Sequence, residues 1–181
     1  VSVFPVVPPL VTSGRNPFPA VAALTHLLRW NPLALDISNA IVSSGAVTAA
    51  KLGTWLTQNG VEQVTVIAHE DDIVEVRLLV DWVWRRLDGP ARRLLGVLAH
   101  LQGDHASLPS LAVLANARTQ ARHALARLAR WHLVQQPLPG RFTLHATVKH
   151  AVLTRTGFDQ RRAVKHFVGL LERHPDQIDL E

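Results

Sequence analysis

Five arginines between positions 118 and 141 are the side chains most able to do chemistry. RTQARHALARLARW (118–131) sets Arg118, Arg122, Arg127 and Arg130 among alanines and leucines, and Arg141 follows in RFTLH. With Ala121, Ala124, Leu125 and Leu128 turned to a core, the other side of such a helix offers guanidinium forks to solvent. Those forks suit phosphate, so nucleic-acid contact is one expectation: the helix in a major groove, Arg141 on backbone phosphate. A solvated arginine face is the plainer alternative. The start of the helix lacks the Asn, Gln or Ser mixture that reads base edges.

Histidines are the second group. Ten are scattered along the chain. His145 and His150 are five apart, a poor fit to one helix face, with no acid between them; His100 and His105 straddle a helix end. No metal site is expected. With no cysteine, thiolate chemistry and disulfides are excluded. No GxxxxGK[ST] loop, GxSxG elbow or HExxH pair occurs, so the chain is not expected to be an enzyme in its own right.

The elements that must carry these residues follow from caps and apolar spacing. PARRLLGVLAHLQG (90–103), LPSLAVLA (108–115) and RTQARHALARLARW read as three helices, and HLVQQ–PLPG–RFTLH as a hairpin. Three helices and a β-wing in that order predict a winged helix, a form of the helix-turn-helix unit. Upstream, VSVFPVVPPLVT (1–12) suits an edge strand or connector. Asn16–Pro17 caps a helix to about Arg29, with Val21, Leu24, Leu27 and Leu28 buried. Asn31–Pro32 starts a second, with Leu33, Ile37, Ala40 and Ile41 at helical spacing and Gly45 as its stop. A third spans 46–58 on Leu52, Trp55 and Leu56. Residues 61–68 form a short strand or linker. Asp71–Asp72 cap a helix with the stripe Ile73, Val76, Val80, Val83 and Leu87, and Asp88–Gly–Pro90 restarts the chain. A helix from Ala146 to Arg155, a break at Gly157 and a helix from Asp159 to Glu172 close it.

Composition sets outer bounds. With 181 residues, 48% apolar and 18% charged, the chain can hold one large or two small packed domains. No apolar run is long enough to cross a membrane and no signal-peptide layout opens the chain, so a soluble cytoplasmic protein without a membrane partner is expected. Lacking methionine and starting in apparent mid-strand, it reads as an excised fragment. The net +5 is uneven. Residues 61–86 hold six acids against three arginines, whereas 90–165 hold twelve cations against Asp104 and Asp159, a balance of +10. The basic half suits nucleic acid; a general preference for arginine would also account for it, since Lys supplies only three of nineteen cations.

In their order, these segments resemble a family. WNPLAL (30–35), an acidic linker, LDGPARRLLGVLAHL, the winged helix and Leu144–His145–Ala146 follow the layout of the NB-ARC module of STAND signalling ATPases. That family includes apoptotic protease-activating factors, plant disease-resistance proteins and bacterial regulators with helical repeats. WNPLAL stands where the family has GxPLAL, and Leu–His–Ala where it has Met–His–Asp. The chain departs from the pattern at Trp30, for the family glycine, and at Ala146, for the aspartate. The likeness covers Val3 to Arg155.

The resemblance implies a mainly α protein: a helical lid with its connector (1–70), a winged-helix domain (71–155) and the start of a helical repeat domain (156–181). It implies that Pro32 packs near the adenine and His145 meets the β-phosphate of ADP. The nucleotide-binding core would precede Val1, so no cofactor is expected on the fragment, with ADP or ATP in the full-length protein. Its partners would be the upstream core, the downstream repeats and further copies on activation. The alternative is a winged-helix transcriptional regulator that binds DNA.

Overall fold

Three of the helices in this protein start at a short polar cap with proline behind it. The computed structural model describes residues 18–60, 74–101 and 105–173. Asn31 accepts the Ala34 N–H at 2.9 Å and opens α2, Pro32–Ser43. Asp88 does the same for Ala91 at 2.9 Å and opens α5, Gly89–His100. Ser107 caps α6, Leu108–Leu114, through the Ser110 N–H. In each case a side-chain oxygen satisfies a first-turn donor, and proline occupies a position that needs none.

The remaining helices are α1, Phe18–Leu27; α3, Ala49–Gln58; α4, Val74–Trp84; α7, Ala121–Arg130; α8, Ala146–Leu153; and α9, Gln160–Arg173. Three short strands, β1 (Ala106–Ser107), β2 (Gln135–Leu138) and β3 (Arg141–Thr143), form an antiparallel sheet in the order β1–β3–β2. β3 is central: Phe142 sits opposite Ala106, and Arg141 opposite both Ser107 and Leu138. β2 is an edge strand and so tolerates Pro137. Pro139–Gly140 turns the chain, with Gly140 at φ +74°, a value that glycine adopts without strain.

Helix α4 holds the arrangement together. α1 packs on α3, and α2 on both α3 and α4; α4 in turn packs on α8, and α5 on α6, α7 and α8. Seven of α4's eleven residues are buried, including Leu79, Val80 and Trp82. The apolar core is continuous from Leu24 to Ala163. Buried Glu75 meets Arg29 Nε at 3.2 Å, tying the start of α4 to the end of α1. Arg155 Nη2 reaches Asp81 at 3.4 Å and ties α8 to α4.

Several expectations shift. Val21 is exposed although it shares a helical face with Leu24 and Leu28: it stands in the first turn of α1, and the buried contacts begin a turn later, at Leu24. α7 begins three residues after Arg118; residues 118–120 form a turn and Gln120 makes no side-chain cap bond. α8 stops at Leu153, and α9 runs one residue later than expected at each end. The hairpin turn is shorter than PLPG, since Pro137 and Leu138 belong to β2. The readings of 1–12, Asn16–Pro17, 61–68 and Asp71–Asp72 lie outside the described residues. No helix among the described residues is long and apolar enough to cross a membrane.

Candidate functional site

The arginine face is built by α7 but only partly free. Ala121, Ala124, Leu125 and Leu128 are buried, as the apolar spacing requires. Arg122 is exposed at the edge of a groove of about 360 Å³ between α7 and the hairpin, with Gln135, Gln136 and Phe142 on the hairpin side. Arg118 stands exposed in the preceding turn, and Arg130 is exposed at the helix end.

Arg127 differs from its expected solvent-facing place. Its Nη1 pairs with Asp88 Oδ2, because the second half of α7 runs beside the α4–α5 junction. Arg130, with Trp131 and His132, lines a cleft of about 490 Å³ whose other wall is Asn39, Ser43 and Ser44 of α2 and its cap. Arg141 is half-buried on β3 with its Nη1 inside the protein, and it already has an interaction partner. Arg118, Arg122 and Arg130 are therefore exposed, but Arg122 borders the hairpin groove while Arg130 shares the α2 cleft with Arg127, and Arg141 is half-buried.

The other two candidates each begin a helix. Pro32 is exposed in the first turn of α2. His145 is exposed and is the N-cap of α8: its Nδ1 accepts the Thr147 N–H at 3.3 Å. A ring nitrogen that accepts a backbone N–H carries no proton of its own, so in the neutral ring the proton sits on Nε2. His145 therefore presents an N–H donor at the positive end of a helix, a place that favours an anion. α4 packs on both helices, yet no hydrogen bond or ion pair joins Pro32 to His145.

Many cations of the basic half serve helix ends instead. Lys149 donates to Leu101 O at 2.8 Å, Arg92 to Trp84 O and Arg93 to Ala115 O. Arg162 reaches Val113 O at 2.6 Å. Arg92, Arg93 and Arg162 converge on one cavity that sequence reasoning missed. A signal was present: Arg92 and Arg93 fall near the start of α5, where acids are favoured and none occurs in the first turn.

No group of three or more His, Asp or Glu able to hold a metal is found among the described residues. The chemistry these side chains offer is anion recognition, through guanidinium forks and one imidazole N–H. Comparison with protein-family models, curated proteins and solved structures found no match.

Proposed function

We propose that the chain is the regulatory part of a nucleotide-switched signalling ATPase of the NB-ARC type. In this reading residues 1–70 are a helical lid, 71–155 a winged helix and 156–181 the start of a helical repeat domain. The chain closes over ADP held by a nucleotide-binding core and opens on exchange, so that nucleotide state governs assembly.

The observation that carries the reading is His145. It caps α8 through Nδ1 and keeps an Nε2–H donor outward at a helix N-terminus, the chemistry needed to hold a terminal phosphate of ADP. Connectivity supports it: the order α5–β1–α6–α7–β2–β3, with β3 returning beside the strand between the first two helices, suits a winged helix. α4 braces both the helix that begins at Pro32 and the helix that begins at His145. At the other end, Val164, Val168 and Leu171 of α9 are 62%, 46% and 47% exposed, an apolar stripe suited to cover by a following helix.

The test is ADP retention by the complete polypeptide. His145→Ser preserves the cap, because serine caps well, but removes the imidazole donor. The residence time of ADP should fall on the order of tenfold or more, the worth of one charge-assisted hydrogen bond. An unchanged residence time refutes the role of His145.

A second reading, DNA binding, has its own observation. Arg118, Arg122 and Arg130 are exposed and have no partner among the described residues. Exposed guanidinium groups of this kind meet phosphate backbone without reading bases.

A further inference from the structure

We propose that the cavity between α5, the end of α6 and the turn leading into α9 is a binding site for an organic dianion. It encloses about 450 Å³, within the range of small-molecule sites, and shares no lining residue with His145 or the exposed face of α7. The proposal does not rest on the nucleotide reading.

Three guanidinium groups line this space, and each is already held in place. Arg92 donates through Nε to Trp84 O at 3.0 Å and through Nη2 to Arg85 O at 3.2 Å. Arg93 donates through Nε to Ala115 O at 2.9 Å, and Arg162 through Nη2 to Val113 O at 2.6 Å. These contacts use one or two N–H groups of each fork and leave the others for a ligand. Arginine side chains normally lose much rotamer freedom on binding; here folding has removed part of it beforehand.

Neutralising helix ends does not by itself require arginine. Lys149 serves the end of α5 with a single ammonium. At the cavity, three guanidiniums from two separate helices meet instead. Among the described residues the only acid in the lining is Asp159, whose Oδ1 accepts the Arg162 backbone N–H. Three positive charges against one negative leave a surplus of two, which a dianion balances.

The walls specify the rest of the ligand. Trp84 lies beside Arg92, whose guanidinium carbon is 5.8 Å from the ring centroid. Phe158 is fixed by stacking on His100, with centroids 5.1 Å apart and planes 11° from parallel. Two aromatic surfaces beside a cluster of forks fit a ring that carries a phosphomonoester or a pair of carboxylates. Gly96 forms part of the floor, where a Cβ would lie 3.0 Å from Thr156 Cγ2. An occupant would touch α5, α6 and the turn at 156–159 together, and so tie the start of α9 to the body of the protein.

The experiment titrates the ¹⁵N-labelled chain with phenyl phosphate, with phthalate and with inorganic phosphate. The readouts are calorimetry and the Trp84 indole resonance, assigned by Trp84→Phe. Saturable binding of phenyl phosphate or phthalate is expected at least about tenfold tighter than inorganic phosphate, with Trp84 shifting. The tighter of the two organic probes identifies the natural anionic group. Combined Arg93→Gln and Arg162→Gln should weaken binding at least about tenfold. The corresponding lysine pair keeps charge and fold but loses the forks, and should also bind at least about fivefold more weakly. No saturable binding of either organic probe by about 10 mM, a weaker interaction than any specific site should show, overturns the proposal. So does an affinity unchanged in the lysine pair.

Discussion

Asp88 serves two partners at once, and substitutions can separate them. Its Oδ1 caps α5 through the Ala91 N–H, and its Oδ2 receives Arg127 of α7. Asp88→Asn keeps the cap, because asparagine caps about as well, and removes only the ion pair. Arg127 and Asp88 side chains are 34% and 42% exposed, so water screens the pair and its loss should cost about 0.5 kcal/mol. Asp88→Ala also removes the cap, which adds about 1 kcal/mol. For a chain of this length 1 kcal/mol corresponds to about 2–4 °C in Tm. Thermal and urea unfolding should therefore show a loss of about 1–2 °C for Asn and about 3–6 °C for Ala. Arg127→Ala alone loses alkyl packing as well as charge, so the pair is isolated by a cycle. In the Asp88→Asn background, Arg127→Ala should cost about 0.5 kcal/mol less than in the wild type. If Asn destabilises as much as Ala, the cap is not what matters; if the cycle shows no coupling, the ion pair contributes nothing.

Leu79→Ala, at a fully buried site in α4, should cost about 2–5 kcal/mol. Because α4 packs on both α2 and α8, urea unfolding should shift as one transition; a curve with two phases, only one displaced, would show that α4 supports one side alone. Duplex DNA should bind weakly at low salt and dissociate as salt rises, and changing Arg118, Arg122 and Arg130 to alanine should weaken it equally for all sequences. Selection from random duplexes at physiological salt is the check: enrichment of one motif, lost in Arg122→Ala, would favour the DNA reading over the nucleotide switch.

Features written in neighbouring residues were legible in advance. Asn31–Pro32 and Asp88–Gly89–Pro90 announce α2 and α5 because a cap and a proline act within one turn. The apolar face of α7 was readable for the same reason. What the sequence hid depends on distant partners. β1 is two residues long and exists as a strand only through β3, some 35 positions later. Arg127 looked like its neighbours until Asp88, 39 residues away, came within reach. The start of α7 is not marked in the sequence because the residue at its cap position, Gln120, makes no side-chain cap bond. At the candidate sites, His145 stood out by its motif, while its capping bond to Thr147 uses an imidazole nitrogen in a role usually filled by Ser, Thr, Asp or Asn. The cavity arginines come from α5 and α9, whose meeting no local pattern encodes.

Helix α4 is buried on most of its circumference, with α2 and α8 both packed against it. That limits how its length can drift. One residue inserted in an α-helix turns everything beyond it by about 100°. α1 buries only Leu24 within the helix and could absorb such a turn by fraying at its exposed start. In α4 the same insertion would rotate Leu79, Val80, Trp82 and Val83 away from both partners at once, and would carry Asp81 out of reach of Arg155. Insertions and deletions among variants of this protein should therefore collect in the turns around it, while α4 keeps its eleven residues.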